Sequence, residues 1–334
     1  MTVTCFGELL VRLTPPGQRL LSQADNFDLT VGGAEANVSI ALASLGHETR
    51  FCGLVSDNPL GDRAVAELRR AGADTGFLTR SPGRMGLYFL EAGAGARPSA
   101  ITYDRAGSAF AGAEPGMIDF AGALADATLL HTGGITPALG PRGADLARAA
   151  QSAANAAGVP ICFDGNYRAA LWNAWDSDAG TILRELVADA AMLIGNHRDI
   201  SLLLGKDFPG DGADRRREAA EAAFAAFPRL EFIASTARHV VTGDHHRISA
   251  RADARGDSYQ TGEIAITGIV ERIGTGDAFA AGVIDGWLAG GDLQRMAETG
   301  LALSAIKHCL PGDNAPITRA MLDSFSAQGG DVLR

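Results

Sequence analysis

Three features of this 334-residue chain predict an α/β fold with a mainly parallel central sheet flanked by helices. Short β-branched and apolar runs alternate with amphipathic stretches, the rhythm of strand–helix–strand units. Glycines punctuate that rhythm at the mouths and ends of the helical stretches. With 46% hydrophobic and 20% charged residues, the chain can bury one large core. No composition shift, internal repeat or low-complexity tract marks a second independent domain, so one domain spanning 1–334 is expected.

The elements follow in order. Residues 3–6, Val-Thr-Cys-Phe, read as the first strand. Gly32-Gly33-Ala34-Glu35-Ala36-Asn37 opens a helix that runs to about Leu45 and stops at Gly46. Residues 50–55 form the next strand and 61–71 a helix, joined by Asp57-Asn58-Pro59-Leu60-Gly61-Asp62. Strands at 128–132, 159–163, 191–194 and 231–234 then alternate with helices at 142–157 and 215–227. Two helices, 277–288 and 293–307, close the pattern. Two segments break the rhythm. Residues 10–31 carry Pro15, Pro16 and Gly17 between extended pieces, and 85–103 alternate like a hairpin around Gly93-Ala94-Gly95. Gly329-Gly330 reads as a loose tail.

Charge and composition exclude several classes. A net charge of −10 with a pI near 5.2 argues against nucleic acid or an anionic membrane as partner. The start has no basic region followed by an apolar run, so no signal peptide is expected. No apolar stretch approaches the roughly 20 residues a membrane helix needs. Cys5, Cys52, Cys162 and Cys309 are scattered in mostly apolar, strand-like surroundings and read as reduced core residues of a cytoplasmic protein, not a disulfide framework or a zinc site.

The most informative run is Ile273-Gly274-Thr275-Gly276-Asp277-Ala278-Phe279. Glycines around a threonine let backbone N–H groups converge, and the helix that follows adds its positive end. That arrangement holds an anion. Asp277, at the mouth of the same helix, stands where a carboxylate can take a proton from a hydroxyl about to be phosphorylated. An Asp there is also an ordinary helix cap, and the run alone does not decide between the two. Upstream, Gly33 permits close approach of backbone to a small ligand, and Asn37 projects one turn into its helix.

Together, in this order, the two motifs resemble the ribokinase-like (PfkB) family of carbohydrate kinases, over nearly the whole chain. The resemblance implies a ribokinase-like sheet with a small β-sheet lid inserted at about 10–31 and 85–106. It implies that the first motif touches the sugar. The second, Gly274, Thr275, Gly276 and Asp277, would supply the anion hole and the base, with ATP as donor and Mg²⁺ on the triphosphate. Asn166 and Asn196 would lie on the nucleotide side. Exposed lid strands imply a homo-oligomer paired through the lid.

Within that family, the substrate pieces are similar to those of 2-keto-3-deoxygluconate kinases. Gly86-Leu87-Tyr88-Phe89, the run from Tyr103 through Arg105 to Ala109, and the run from Phe163 to Arg168 hold three of the four tyrosines. Gly133-Gly134-Ile135-Thr136-Pro137-Ala138-Leu139 adds to the similarity. Tyr88 and Tyr103 offer an apolar face and a hydroxyl. Arg105 and Arg168 suit a planar carboxylate, which a neutral hexose lacks. Asp313, after Leu310-Pro311-Gly312, matches a substrate contact. Each has a plainer reading: Tyr88 as a half-buried strand aromatic, Arg168 as a salt bridge or phosphate contact, Asp313 as a turn acid.

Other segments carry less. Asn196-His197-Arg198-Asp199 resembles the family's Asn-x-x-Glu element near the Mg-phosphate site, with Asp for Glu. His245-His246, without a third ligand at sensible spacing, reads as a solvated loop. Asp211 to Asp214 and Arg215-Arg216-Arg217 read as a loop and a solvated helix start. Ser235-Thr236-Ala237-Arg238-His239 stands where the family has a lysine and glycine loop beside the nucleotide. The activity implied is phosphorylation of 2-keto-3-deoxygluconate at its C6 hydroxyl, by a sugar acid and ATP meeting in one site. The alternatives are a kinase for a neutral sugar such as fructose and a non-catalytic sugar-acid sensor.

Overall fold

The computed structural model describes residues 1–325 except 94, 96 and 211, so the expected tail at Gly329-Gly330 and the hairpin tip at Ala94 lie outside the described residues. The strands are β1 (Thr2–Phe6), β2 (Leu10–Thr14), β3 (Asp28–Gly32), β4 (Glu48–Ser56), β5 (Leu78–Ser81), β6 (Gly86–Glu91), β7 (Ala100–Asp104), β8 (Ala127–Gly133), β9 (Ile161–Asp164), β10 (Met192–Ile194), β11 (Phe232–Thr242), β12 (His245–Ala254), β13 (Asp257–Gln260) and β14 (Ile264–Thr267). They form two sheets. The larger runs β13-β12-β11-β10-β9-β8-β1-β4-β5, with β14 also on β12. From β11 through β5 every pairing is parallel. The smaller sheet has the order β3-β2-β6-β7 and is built from the two segments that break the sequence rhythm.

The parallel strands are buried on both faces, as crossover helices require. In β1, Val3 and Cys5 turn toward the helices Ala34–Ser44 and Thr275–Leu288, while Phe6 packs with Leu54, Phe120 and Leu130 on the other face. Phe6 meets Phe120 edge-on at 4.9 Å. A third cluster gathers Phe163, Trp172, Leu193 and Phe224 under the helices Ala179–Ala188, His197–Leu204 and Gly212–Ala226. Cys5, Cys52 and Cys162 are buried free thiols, and Cys309 is exposed.

Two expectations need correction. His245 and His246 are not a solvated loop but open β12, with His246 wholly buried and its ring 6.1 Å from that of His308. The strand escaped notice because Arg251 and Asp253 interrupt its apolar pattern. Both charges are buried and paired with each other at 2.8 Å. Arg217 joins them through Asp253 at 3.0 Å, so the arginine run is not wholly a solvated helix start. β11 likewise runs well past the predicted end at 234. Asn58, in the run before the second helix, is its N-cap and accepts from Leu60 and Gly61.

The catalytic-side helices are fastened by one buried acid. Asp285, 1% exposed, takes His47 Nε2 at 2.6 Å and Arg319 Nη1 at 2.9 Å. Burial alone would push its carboxyl up, but Arg319 and His47 outweigh that and hold it at about 2. Its stabilisation is therefore fully present above the unfolded carboxyl's range and is lost as pH falls toward 2. Asp285→Ala should lower unfolding free energy by about 2–3 kcal/mol in urea melts. That is below the figure for a fully buried pair, because Arg319 can turn to water. A loss under about 0.5 kcal/mol would show that the contact is idle.

Candidate active site

A cavity of about 840 Å³ opens at the carboxyl ends of the parallel strands, where open α/β sheets bind ligands. Glu8 follows β1, Asp164 ends β9, Asn196 follows β10, and β11 contributes Thr236 and Arg238. The small sheet forms another wall through Leu10, Tyr88, Ile101 and Tyr103. Every residue proposed from sequence for the site lies on this one lining, from Gly33 and Asn37 to Gly274, Thr275, Gly276, Asp277 and Asp313.

The helix Thr275–Leu288 starts at Gly274 with no side-chain cap. Gly274 is left-handed, at φ 78°, and a β-carbon there would collide with the Asp313 carbonyl. Thr275 donates its hydroxyl to the Arg272 carbonyl at 3.0 Å, so its side chain shapes the turn and leaves the first N–H groups uncapped. Gly276 has open space where a side chain would stand. The residues fit a polyphosphate: free donors at a helix start, clear approach and no competing carboxylate cap.

Asn37 Nδ2 donates to Asp277 Oδ2 at 2.6 Å, joining the two motifs across 240 positions. Burial pushes the Asp277 carboxyl up to about 6, against the lowering influence of Asn37 and Arg168. Asp277 is thus a carboxylate near neutral pH with a proton affinity suited to a base. Gly33, at φ 141°, lets the same helix start lie against the Glu8 carbonyl.

The substrate-side residues divide. Arg168 reaches the cavity from the exposed side of the turn after β9. Its only hydrogen bond is to the Tyr167 carbonyl, at 3.1 Å, and it has no ion pair among the described residues. Arg105 is different. It is buried, its Nε donates to Glu8 Oε2 at 2.9 Å, and Ser108 donates to the other Glu8 oxygen at 2.8 Å. A substrate carboxylate would have to share that guanidinium with the protein's own acid. Tyr103 stays partly exposed, its ring 6.0 Å from that of Tyr88 and beneath the Arg105 guanidinium. Tyr88 donates its hydroxyl to Asp313, which also pairs with Arg12 at 2.7 Å. Asp313 is therefore a buried floor residue, not a turn acid at the surface.

Asn166 and Asn196 hold local turns. Asn166 sits at φ 36° with its N–H on Asp164 at 3.1 Å, and Asn196 caps the helix His197–Leu204 in a reciprocal box with Asp199. Burial raises the carboxyls of both Asp164 and Asp199. No group of three His, Cys, Asp or Glu side chains among the described residues could hold a metal alone. Sequence reasoning missed Glu8, Arg12 and Glu35, whose surroundings come from segments distant in the chain, and Lys307, which carries no motif. Glu35, fully buried with one oxygen unpartnered, has its carboxyl pushed up to about 8 by burial.

Comparison with known proteins agrees with this geometry. The pfkB carbohydrate kinase family model matches residues 2–320. The chain belongs to that family. It is a carbohydrate kinase of the ribokinase-like fold, in a family that uses ATP. It is 31% identical over 98% of its length to a 2-dehydro-3-deoxygalactonokinase of Haloferax volcanii, covering 96% of that protein. A 2-dehydro-3-deoxygluconokinase of Bacillus subtilis is 28% identical over 97% of this chain and 95% of its own. The crystal structure of 2-dehydro-3-deoxygluconokinase from Thermotoga maritima superposes with a TM-score of 0.93 at 36% identity, covering 98% of this chain and all of that one. Among the described residues no helix is long and apolar enough to cross a membrane.

Asp277→Asn should leave the fold intact and cut turnover by about 10²–10⁴, the range for a positioned base. In the unmodified enzyme kcat/KM should climb about tenfold per pH unit below 6 and level off above it, because the base must be deprotonated. Near-normal turnover in the variant would leave Asp277 as a helix cap.

Proposed function

We propose that this kinase phosphorylates 2-keto-3-deoxygluconate at the C6 hydroxyl, with Mg-ATP as donor, giving 2-keto-3-deoxy-6-phosphogluconate. The observation that carries the acid substrate is Arg168, a guanidinium in the cavity with no ion pair among the described residues and with Asp164, Asp199 and Asp277 only at longer electrostatic range. A planar carboxylate is its natural partner, and a neutral hexose offers none. The names of the relatives support the same substrate class.

Asp277 accepts the hydroxyl proton, and Asn37 fixes which carboxylate oxygen faces the acceptor. The uncapped N–H groups at Gly274, Thr275, Gly276 and Asp277 stabilise charge on the transferring phosphoryl. Mg²⁺, when bound, neutralises triphosphate charge, and Asn196 and Asp199 would hold its shell. Tyr103 and the wall from Leu10 to Tyr88 exclude water from the sugar.

A second reading concerns stereochemistry only. The Haloferax relative is named for the galacto epimer, so both epimers belong in the assay. The test is a panel of the gluco and galacto keto-deoxy acids, fructose and ribose, by kcat/KM with Mg-ATP. A keto-deoxy acid should lead every neutral sugar by at least about a hundredfold, or about 2.7 kcal/mol. Arg168→Leu, assayed about two pH units above 6 so that Asp277 stays deprotonated without the arginine, should cut that lead about tenfold or more while sparing neutral sugars. A neutral sugar in first place, or equal losses on both classes, would overturn the assignment.

A further inference from the structure

Of the 29 basic residues, only Lys206 and Lys307 are lysines. Lys206 is exposed, whereas Lys307 has no exposed surface at all. Its Nζ donates to the Leu310 carbonyl at 3.0 Å, and its Cε lies 3.4 Å from where a β-carbon of Gly274 would stand. The last turn of the helix Leu293–His308 is thus the common seat of two loops. One is 310–313, whose Asp313 carbonyl presses on Gly274. The other is 270–274, whose Val270 and Glu271 N–H groups both donate to the His308 carbonyl, at 2.8 and 3.2 Å.

We infer that Lys307 is a positioning residue for phosphoryl transfer: its buried ammonium holds these two loops together, so that the N–H groups after Gly274 stay aimed into the cavity. The inference rests on the family reading of that helix start as the phosphoryl site. Charge supports it. Glu271, Asp313 and Asp277 all lie near enough to attract the ammonium, with Arg12 paired to Glu271 and Asp313 and Arg168 acting on Asp277. Removing the Lys307 charge would leave three carboxylates behind a site that must receive a polyanion. A lysine places its charge on one compact ammonium with three donors, where an arginine would bring a planar fork. The plainer alternative is a lysine that only caps helix carbonyls and contributes stability.

Lys307→Met, assayed with whichever sugar the unmodified enzyme accepts best, separates these readings and stays informative if the sugar-acid assignment fails. Turnover should fall about a hundredfold, as when an oxyanion donor is lost, with KM for ATP and sugar changed less than about threefold. In Lys307→Ala, which vacates the whole stem, ammonium chloride at tens of millimolar should restore turnover at least tenfold by refilling that space. Sodium chloride at equal ionic strength and tetramethylammonium, which is too large, should not. Unchanged turnover, or a loss that ammonium restores no better than those controls, would overturn the inference. If the Met variant does not fold, Lys307→Gln, which keeps a donor for Leu310 without the charge, carries the same assay. Failure of both to fold would make Lys307 structural and overturn the inference equally.

Discussion

The hydrogen bond from Asn37 to Asp277 is the constraint on which the rest of the site depends. It ties the start of one helix, reached after the first segment of the small sheet, to the start of another that lies across the cavity. To make it, the chain must pack the helices Ala34–Ser44 and Thr275–Leu288 side by side over β1. Each must also begin on a glycine whose conformation or clearance a larger residue would spoil. The same bond orients the carboxylate next to the uncapped N–H groups of its own helix. Acid–base chemistry and anion binding therefore share one rigid corner, which is what phosphoryl transfer by positioning asks for.

Around that corner lie acids whose carboxyls burial has raised: Glu35, Asp164, Asp199 and Asp313 as well as Asp277. Glu35, pushed up to about 8, carries less negative charge near neutrality and so repels an entering polyanion less than an ordinary acid would. Of the guanidiniums beside them, Arg168 has no ion pair among the described residues, while Arg105 and Arg12 are committed to Glu8 and to Glu271 and Asp313. A strongly acidic chain thereby presents a cavity able to take two anionic reactants.

Much of this was legible in the sequence, for physical reasons. The parallel strands are continuous apolar runs, and helix starts carry glycine or Asn, so the sheet order's raw material and the two motifs could be read directly. Reading residues singly gave the right lining but not the pairings. Arg105 looked free because Glu8 lies 97 positions away, and Tyr88 and Asp313 looked like separate substrate contacts although they bond each other. β12 was hidden because its buried face carries Arg251 and Asp253, which only Arg217 on a distant helix explains. Lys307 gave no motif at all, since its meaning comes from two loops folding onto one helix end.

A double-mutant cycle on Asn37 and Asp277, followed by kcat with Mg-ATP and the preferred sugar, tests most directly whether they act as one unit. Asn37→Ala and Asp277→Asn should each slow turnover. The double variant should be no slower than Asp277→Asn alone, because the orienting bond has nothing left to orient. Losses that multiply in the double variant would show two independent contributions and contradict the account.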